Sequence, residues 1–394
     1  MADAIDWNLL AAYGGLIALA TGSIYTGSHG SLPVGPHYFS KNTSVKAEEH
    51  YEDIEVKERV TSDDAWLFPI MGSVVLFGMY TAFKYFGTEW INWFLGWYFA
   101  FTSVGSTWRA SISFVRYLIG PTRWNQFDST KLMLSKVIVA SSCRTPTLIL
   151  LPLSTWPSLY YTLSSTGRKS ILLTNVLSLC FSFNALTIIK LDSFKTGVIL
   201  LSALLIYDVF WVFKTDVMLS VATNMDLPIK LSWPKDLLYP GKGGYMMLGL
   251  GDIIVPGLFV ALGLRYDFDR AQKKNPGQRS FSKPYFHTML VAYVGGLVTT
   301  MVVLHVFKAA QPALLYLSPA CIISLFLTAV VRGEFKDVWS WSDDPLEGGS
   351  KADASKPSKM DQARRHDDIQ DNNNGHTSAV QTNGNDERSP LRNR

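Results

Sequence analysis

The chain has 394 residues, a formal net charge of +4, 48% hydrophobic residues and only 17% charged ones, against roughly 25% charged in soluble domains. The charges are segregated: residues 41–64 and the last 60 or so hold many, and long windows elsewhere hold almost none. That pattern excludes an ordinary soluble protein of two or three domains. It also excludes a nucleic-acid surface, since no basic run is interleaved with aromatics.

Hydrocarbon needs about 20 mostly apolar residues per spanning helix, and nine stretches qualify. They run about 7–27, 66–86, 89–108, 132–154, 170–189, 196–213, 246–264, 285–307 and 312–331. The expected fold is therefore all-α and polytopic. The first stretch has Asp3 and Asp6 but no Lys or Arg ahead of it, so it reads as a retained helix rather than a signal peptide. The fourth contains Arg144 and Pro146 and is followed by Pro152 and Pro157; a break, kink or shifted boundary is expected there. Trp90, Trp93 and Trp97 recur at helical spacing in the third and read as an interfacial or packing stripe.

Lys and Arg in the connections set the orientation. Arg109, Arg116, Arg123 and Lys131 follow the third span, and Arg265, Arg270, Lys273, Lys274, Arg279 and Lys283 follow the seventh. With nine spans these place the N-terminus outside or in the lumen and the C-terminus in the cytosol. Lys214, Lys230, Lys235 and Lys242 after the sixth span conflict in part. In that topology the sequon Asn42-Thr43-Ser44 is cytosolic and unused. The chain divides into helices one to four over 1–169, with a polar loop at 28–65, helices five to nine over 170–335, and a disordered cytosolic tail over 336–394. Cys143, Cys180 and Cys321 are too few and scattered for disulfides or zinc, and no metal or other cofactor is expected. His287 and His305 flank the eighth span and read as interfacial.

Acids inside spans are rare and mark functional sites. Asp208 lies in Tyr207-Asp208-Val209-Phe210-Trp211, and Asp252 in Gly249-Leu250-Gly251-Asp252-Ile253. No Lys or Arg lies within a helical turn of either. Consecutive spans pack as antiparallel neighbours, which could bring the carboxylates together. Such a pair can hold one proton between them, one acid taking a proton from water while the other donates to a carbonyl. Gly249 and Gly251 allow close backbone approach or local unwinding. Pro312-Ala313-Leu314, by physics alone, is an ordinary helix start. Buried acids would equally serve a proton- or cation-coupled transporter or channel; against that, no internal repeat is visible. A scaffold would have no use for two unpaired acids at membrane depth.

Tyr207-Asp208, Gly249-Leu250-Gly251-Asp252 and Pro312-Ala313-Leu314, each in its own span, resemble the three signatures of the presenilin-type intramembrane aspartyl proteases. The longer strings YDVFWVF (207–213), LGLGDIIVPG (248–257), QPALLYL (311–317) and PIKL (228–231) resemble the signal peptide peptidases among them. The resemblance is strongest over 170–335 and implies an aspartic endopeptidase of the endoplasmic reticulum membrane. Asp208 and Asp252 would be catalytic. Tyr207, Gly249, Leu250, Gly251, Pro312, Ala313 and Leu314 would shape the site or position substrate. Implied partners are transmembrane helical peptides, namely signal peptides and type II membrane proteins, together with membrane lipid and further copies of the chain.

Overall fold

A computed structural model describes residues 7–32, 59–120, 129–134, 139–164, 170–215, 217–224, 227–235, 244–275, 281–307 and 311–343. The Asn42 sequon and the tail from 344 onward lie outside them. The helices are α1 (Trp7–Gly30), α2 (Ser62–Phe86), α3 (Thr88–Ile119), α4 (Thr145–Leu163), α5 (Ile171–Ile188) and α6 (Phe194–Lys214). They continue as α7 (Val217–Asn224), α8 (Gly251–Lys274), α9 (Pro284–Phe307), α10 (Leu314–Val331) and α11 (Phe335–Ser340). Short two-stranded pairings join β1 (Arg59–Val60) to β4 (Lys190–Leu191), β2 (Ser129–Leu134) to β3 (Val139–Arg144), and β5 (Lys230–Pro234) to β6 (Tyr245–Gly249).

Among the described residues all nine expected spans have a helical counterpart, and six helices, α1, α2, α5, α6, α9 and α10, are long and apolar enough to cross a membrane. The chain is a multi-pass membrane protein. Its outer surface agrees: Trp66, Phe77, Phe101, Leu172, Ile206 and Ile323 are all exposed. Apolar patches of that extent need lipid or protein against them.

Three boundaries differ from expectation. Helix α3 runs on to Ile119 and carries Arg109 and Arg116, because no glycine or proline lies between Trp108 and Gly120, whose φ is 84°. The fourth span begins only at Thr145, since 129–134 and 139–144 pair as an antiparallel hairpin. The seventh begins at Gly251, because Tyr245–Gly249 is a strand.

Without water, helix association depends on close packing and interhelical hydrogen bonds. Helix α1 lies on α5 and α8, with Ser23 bonded to Ser182 at 2.9 Å and Gly27 directly against Leu186. Helices α6 and α8, which carry the two acids, meet where Gly197 faces the ring of fully buried Phe259. A Cβ at Gly197 would lie 2.5 Å from that ring, and the ring is wedged edge-on against Phe194. Gly197→Val should therefore cost about 1–3 kcal/mol of stability and lower activity in parallel. A thermal melt and a cleavage assay check this, and an unshifted melting temperature would show that the α6–α8 contact can yield.

At the charged end of the bundle, the chain after α10 folds back. Trp341 packs on Phe194 and Tyr266, and its indole donates to Asp269 at 3.0 Å. The backbone N–H of Asp343 donates to the Asp192 carbonyl at 2.8 Å. The Asp343 carboxylate faces buried Arg265 at 3.3 Å, while Arg59 donates to its carbonyl at 2.9 Å. The compact unit thus ends at Asp343, not at 335, because Val338 and Trp341 anchor a segment whose polar composition hid them. Losing one member of a buried ion pair costs about 3–5 kcal/mol. Asp343→Ala should lower the melting temperature by several degrees, and an unchanged melt would mean Arg265 is satisfied by other groups.

Candidate active site

Helix α6 buries one stripe. Gly197, Leu200, Leu201, Asp208 and Trp211 are buried, while Ile206, Phe210 and Phe213 are exposed. Asp208 therefore points inward because it shares the 3.6-residue period of the packed face. It stands six residues before Lys214, about 9 Å from the helix end.

Its partner comes from α10. The backbone N–H of Leu314 donates to Asp208 Oδ2 at 3.2 Å. Leu314 is the first residue of α10, and the first N–H groups of a helix have no partner within it. Pro312 and Ala313 lead the chain into the helix, and the carbonyls of both accept bonds from the first turn. Pro312-Ala313-Leu314 is thus more than a helix start, because it delivers an unpaired amide to an acid 106 residues earlier in the chain.

Asp252 sits in the first turn of α8, where the helix dipole favours negative charge. The N-cap, Leu250, lends no side-chain hydrogen bond. Asp252 is partly buried and Asp208 buried. The two carboxylates are close enough to interact electrostatically. Each acid therefore meets a helix N-terminus, Asp252 that of α8 and Asp208 that of α10.

The other expected residues divide. Gly249 lies against the acid: a Cβ there would stand 3.2 Å from Asp252 Oδ2. A Cβ at Gly251 would meet nothing within 4 Å, so that glycine borders open space. Leu250 is buried. Tyr207 turns toward α2, its ring 3.4 Å from where a Gly72 Cβ would be. Its neighbour Trp211 donates to Ser73 of α2 at 3.1 Å. Tyr207 thus forms part of the α2–α6 contact beside the acids.

The strand leading into Asp252 was not foreseen. Pairing of Ile229 with Leu250 and of Lys235 with Gly244 sets the hairpin register. Met246, Leu248 and Leu250 bond to the β5 side, so the backbone groups of Tyr245, Met247 and Gly249 point away from it. The two outer edges differ. On β5, the Asn175 side-chain amide donates to the Ser232 carbonyl at 2.7 Å and accepts from its N–H at 2.8 Å. Ser178 Oγ donates to the carbonyls of Pro228 and Lys230. On β6, the outward groups bond to nothing among the described residues, and Tyr245, Met247 and Gly249 are exposed. One free strand edge therefore leads straight to Asp252. Asn175 and Ser178 carry no motif, so neither could be found without the fold.

Comparison with known proteins identifies the family. The family model for signal peptide peptidase matches residues 52–345. The chain is 37% identical to the signal peptide peptidase of Homo sapiens over 356 residues, covering 86% of this chain and 90% of that one. It is 36% identical to the Mus musculus protein, covering 87% and 88%. A probable intramembrane protease of Schizosaccharomyces pombe is 34% identical, covering 77% of this chain and 91% of its own length. These similarities set aside the transporter reading, and the chain belongs to the signal peptide peptidase family, the intramembrane aspartyl proteases.

Proposed function

We propose that Asp208 and Asp252 are the catalytic pair, and that the protein hydrolyses peptide bonds within transmembrane helices such as remnant signal peptides and type II membrane proteins. The observation that carries this reading is the pairing of two acids from α6 and α8 within electrostatic reach of each other, with the N–H of Leu314 at the start of α10 bonded to Asp208.

The chemistry needs one proton on the pair. The ionised acid takes a proton from water as the water oxygen attacks the scissile carbonyl carbon. The protonated acid donates to the carbonyl oxygen, giving a tetrahedral diol. A proton then passes to the amide nitrogen, the C–N bond breaks, and the pair returns to its starting state. Helix dipoles and the Leu314 amide stabilise negative charge without reorganising.

A helical substrate hides its amides in its own hydrogen bonds, so it must open before attack. The free edge of β6 supports strand addition as the opening step: an unwound segment bonds to the outward groups of Met247 and Gly249 and lies beside Asp252. Pro312 and Ala313 lead the chain to the amide that meets Asp208, and Tyr207 lies toward α2 beside that acid. Membrane lipid covers the exposed apolar belts. The Lys and Arg distribution supports an N-terminus in the lumen of the endoplasmic reticulum and a cytosolic C-terminus; further copies of the chain are partners to be tested by cross-linking.

The test is cleavage of a type II-oriented transmembrane peptide by the purified protein in vesicles, with products identified by mass. Cuts within the apolar stretch are expected; cuts confined to the flanks would overturn the assignment.

A further inference from the structure

Pro256 lies inside α8, four residues after Asp252. In a regular helix the N–H of residue 256 would bond to the carbonyl of residue 252. Proline has no N–H, and its ring presses against that same carbonyl. The carbonyl of Asp252 is thereby denied its usual partner by the sequence itself.

The structure supplies another. Tyr293 of α9 is fully buried, and its hydroxyl donates to the Asp252 carbonyl oxygen at 3.4 Å. A buried phenol needs a hydrogen-bond partner, and a buried carbonyl without one costs free energy. Each group resolves the other's deficit. We propose that Tyr293 is a positioning residue that holds the backbone of Asp252 by giving its carbonyl the hydrogen bond that Pro256 withholds. The assignment rests on Asp252 being catalytic. Its consequence is mechanical: where the ladder of α8 lacks the bond to the Asp252 carbonyl, the first turn that aims the acid is pinned from α9, so the acid's position depends on the α8–α9 contact.

The test is a double-mutant cycle on the full-length protein in vesicles. Tyr293→Phe keeps the ring and removes only the hydroxyl. It is expected to lower kcat about tenfold and to leave KM within about twofold. Pro256→Ala restores the missing N–H, so in that background Tyr293→Phe should cost less than about twofold. Equal losses in both backgrounds would overturn the proposal, because the phenol would then act elsewhere. Asp252→Ala is measured alongside. Turnover by Asp252→Ala within tenfold of the wild type would sink the catalytic assignment, whereas a deeply impaired Asp252→Ala with an additive cycle would sink only the role of Tyr293.

If Pro256→Ala fails to fold, Tyr293→Phe is read alone with a peptide carrying a hydroxyethylene group in place of the scissile amide. Affinity for that isostere should fall about tenfold while KM holds. A raised KM at unchanged kcat would assign the tyrosine to substrate binding and end the proposal.

Discussion

Asp208→Ala and Asp252→Ala are each expected to lower cleavage at least 1000-fold, on the order of what one positioned acid or base contributes and more, since neither half of the proton exchange works alone. The two variants should differ in stability. Asp208 accepts the Leu314 amide in a buried setting, so its loss strands a donor and should cost about 1–3 kcal/mol. Asp252 is partly buried, and its removal should be milder. Asp208→Asn keeps an oxygen for the amide and should recover the melting temperature while remaining inactive. Cleavage within tenfold of the wild type in any of these would remove that residue from the pair. The same chemistry requires activity to peak where the pair holds a single proton, so the pH–rate profile should fall on both sides. A flat profile would count against a shared proton.

Met247→Pro is expected to reduce kcat/KM tenfold or more without unfolding the protein. The backbone groups of Met247 point away from β5, because Ser232 opposite it gives both of its own to Asn175. A proline there breaks no bond of the hairpin, and strand edges tolerate it. Pro234 already occupies an outward-facing position on β5. The substitution does remove the edge donor nearest Asp252 save that of Gly249. Met246→Pro is the control: its N–H faces Trp233 across the ladder, so that change should destabilise the hairpin itself. Full activity in Met247→Pro would mean that substrates do not join this edge, and the opening step would have to be sought elsewhere. The active-site pair would stand in that case, since the two tests read different bonds.

The transmembrane architecture was legible in the residues because hydrocarbon is an unforgiving solvent. An apolar run long enough to span belongs in a bilayer, and an acid without a counter-charge inside such a run is too costly to keep unless it works there. Asp208 and Asp252 could be named on that ground, and the glycines beside Asp252 could be read as places of close approach. What the residues did not disclose depends on partners distant in the chain. Residues 245–249 are apolar enough to pass for the start of a span, and only β5, itself held by Asn175 and Ser178 of α5, makes them a strand. The value of Pro312-Ala313-Leu314 is a main-chain amide, and a main-chain amide has no signature until the fold aims it at Asp208. Trp341 and Asp343 look like tail residues until Arg265 and Asp269 meet them. Hydropathy is summed over neighbours in sequence and so reports the solvent around each helix; hydrogen bonds and ion pairs join single atoms across the bundle, and only the packed helices decide which atoms those are.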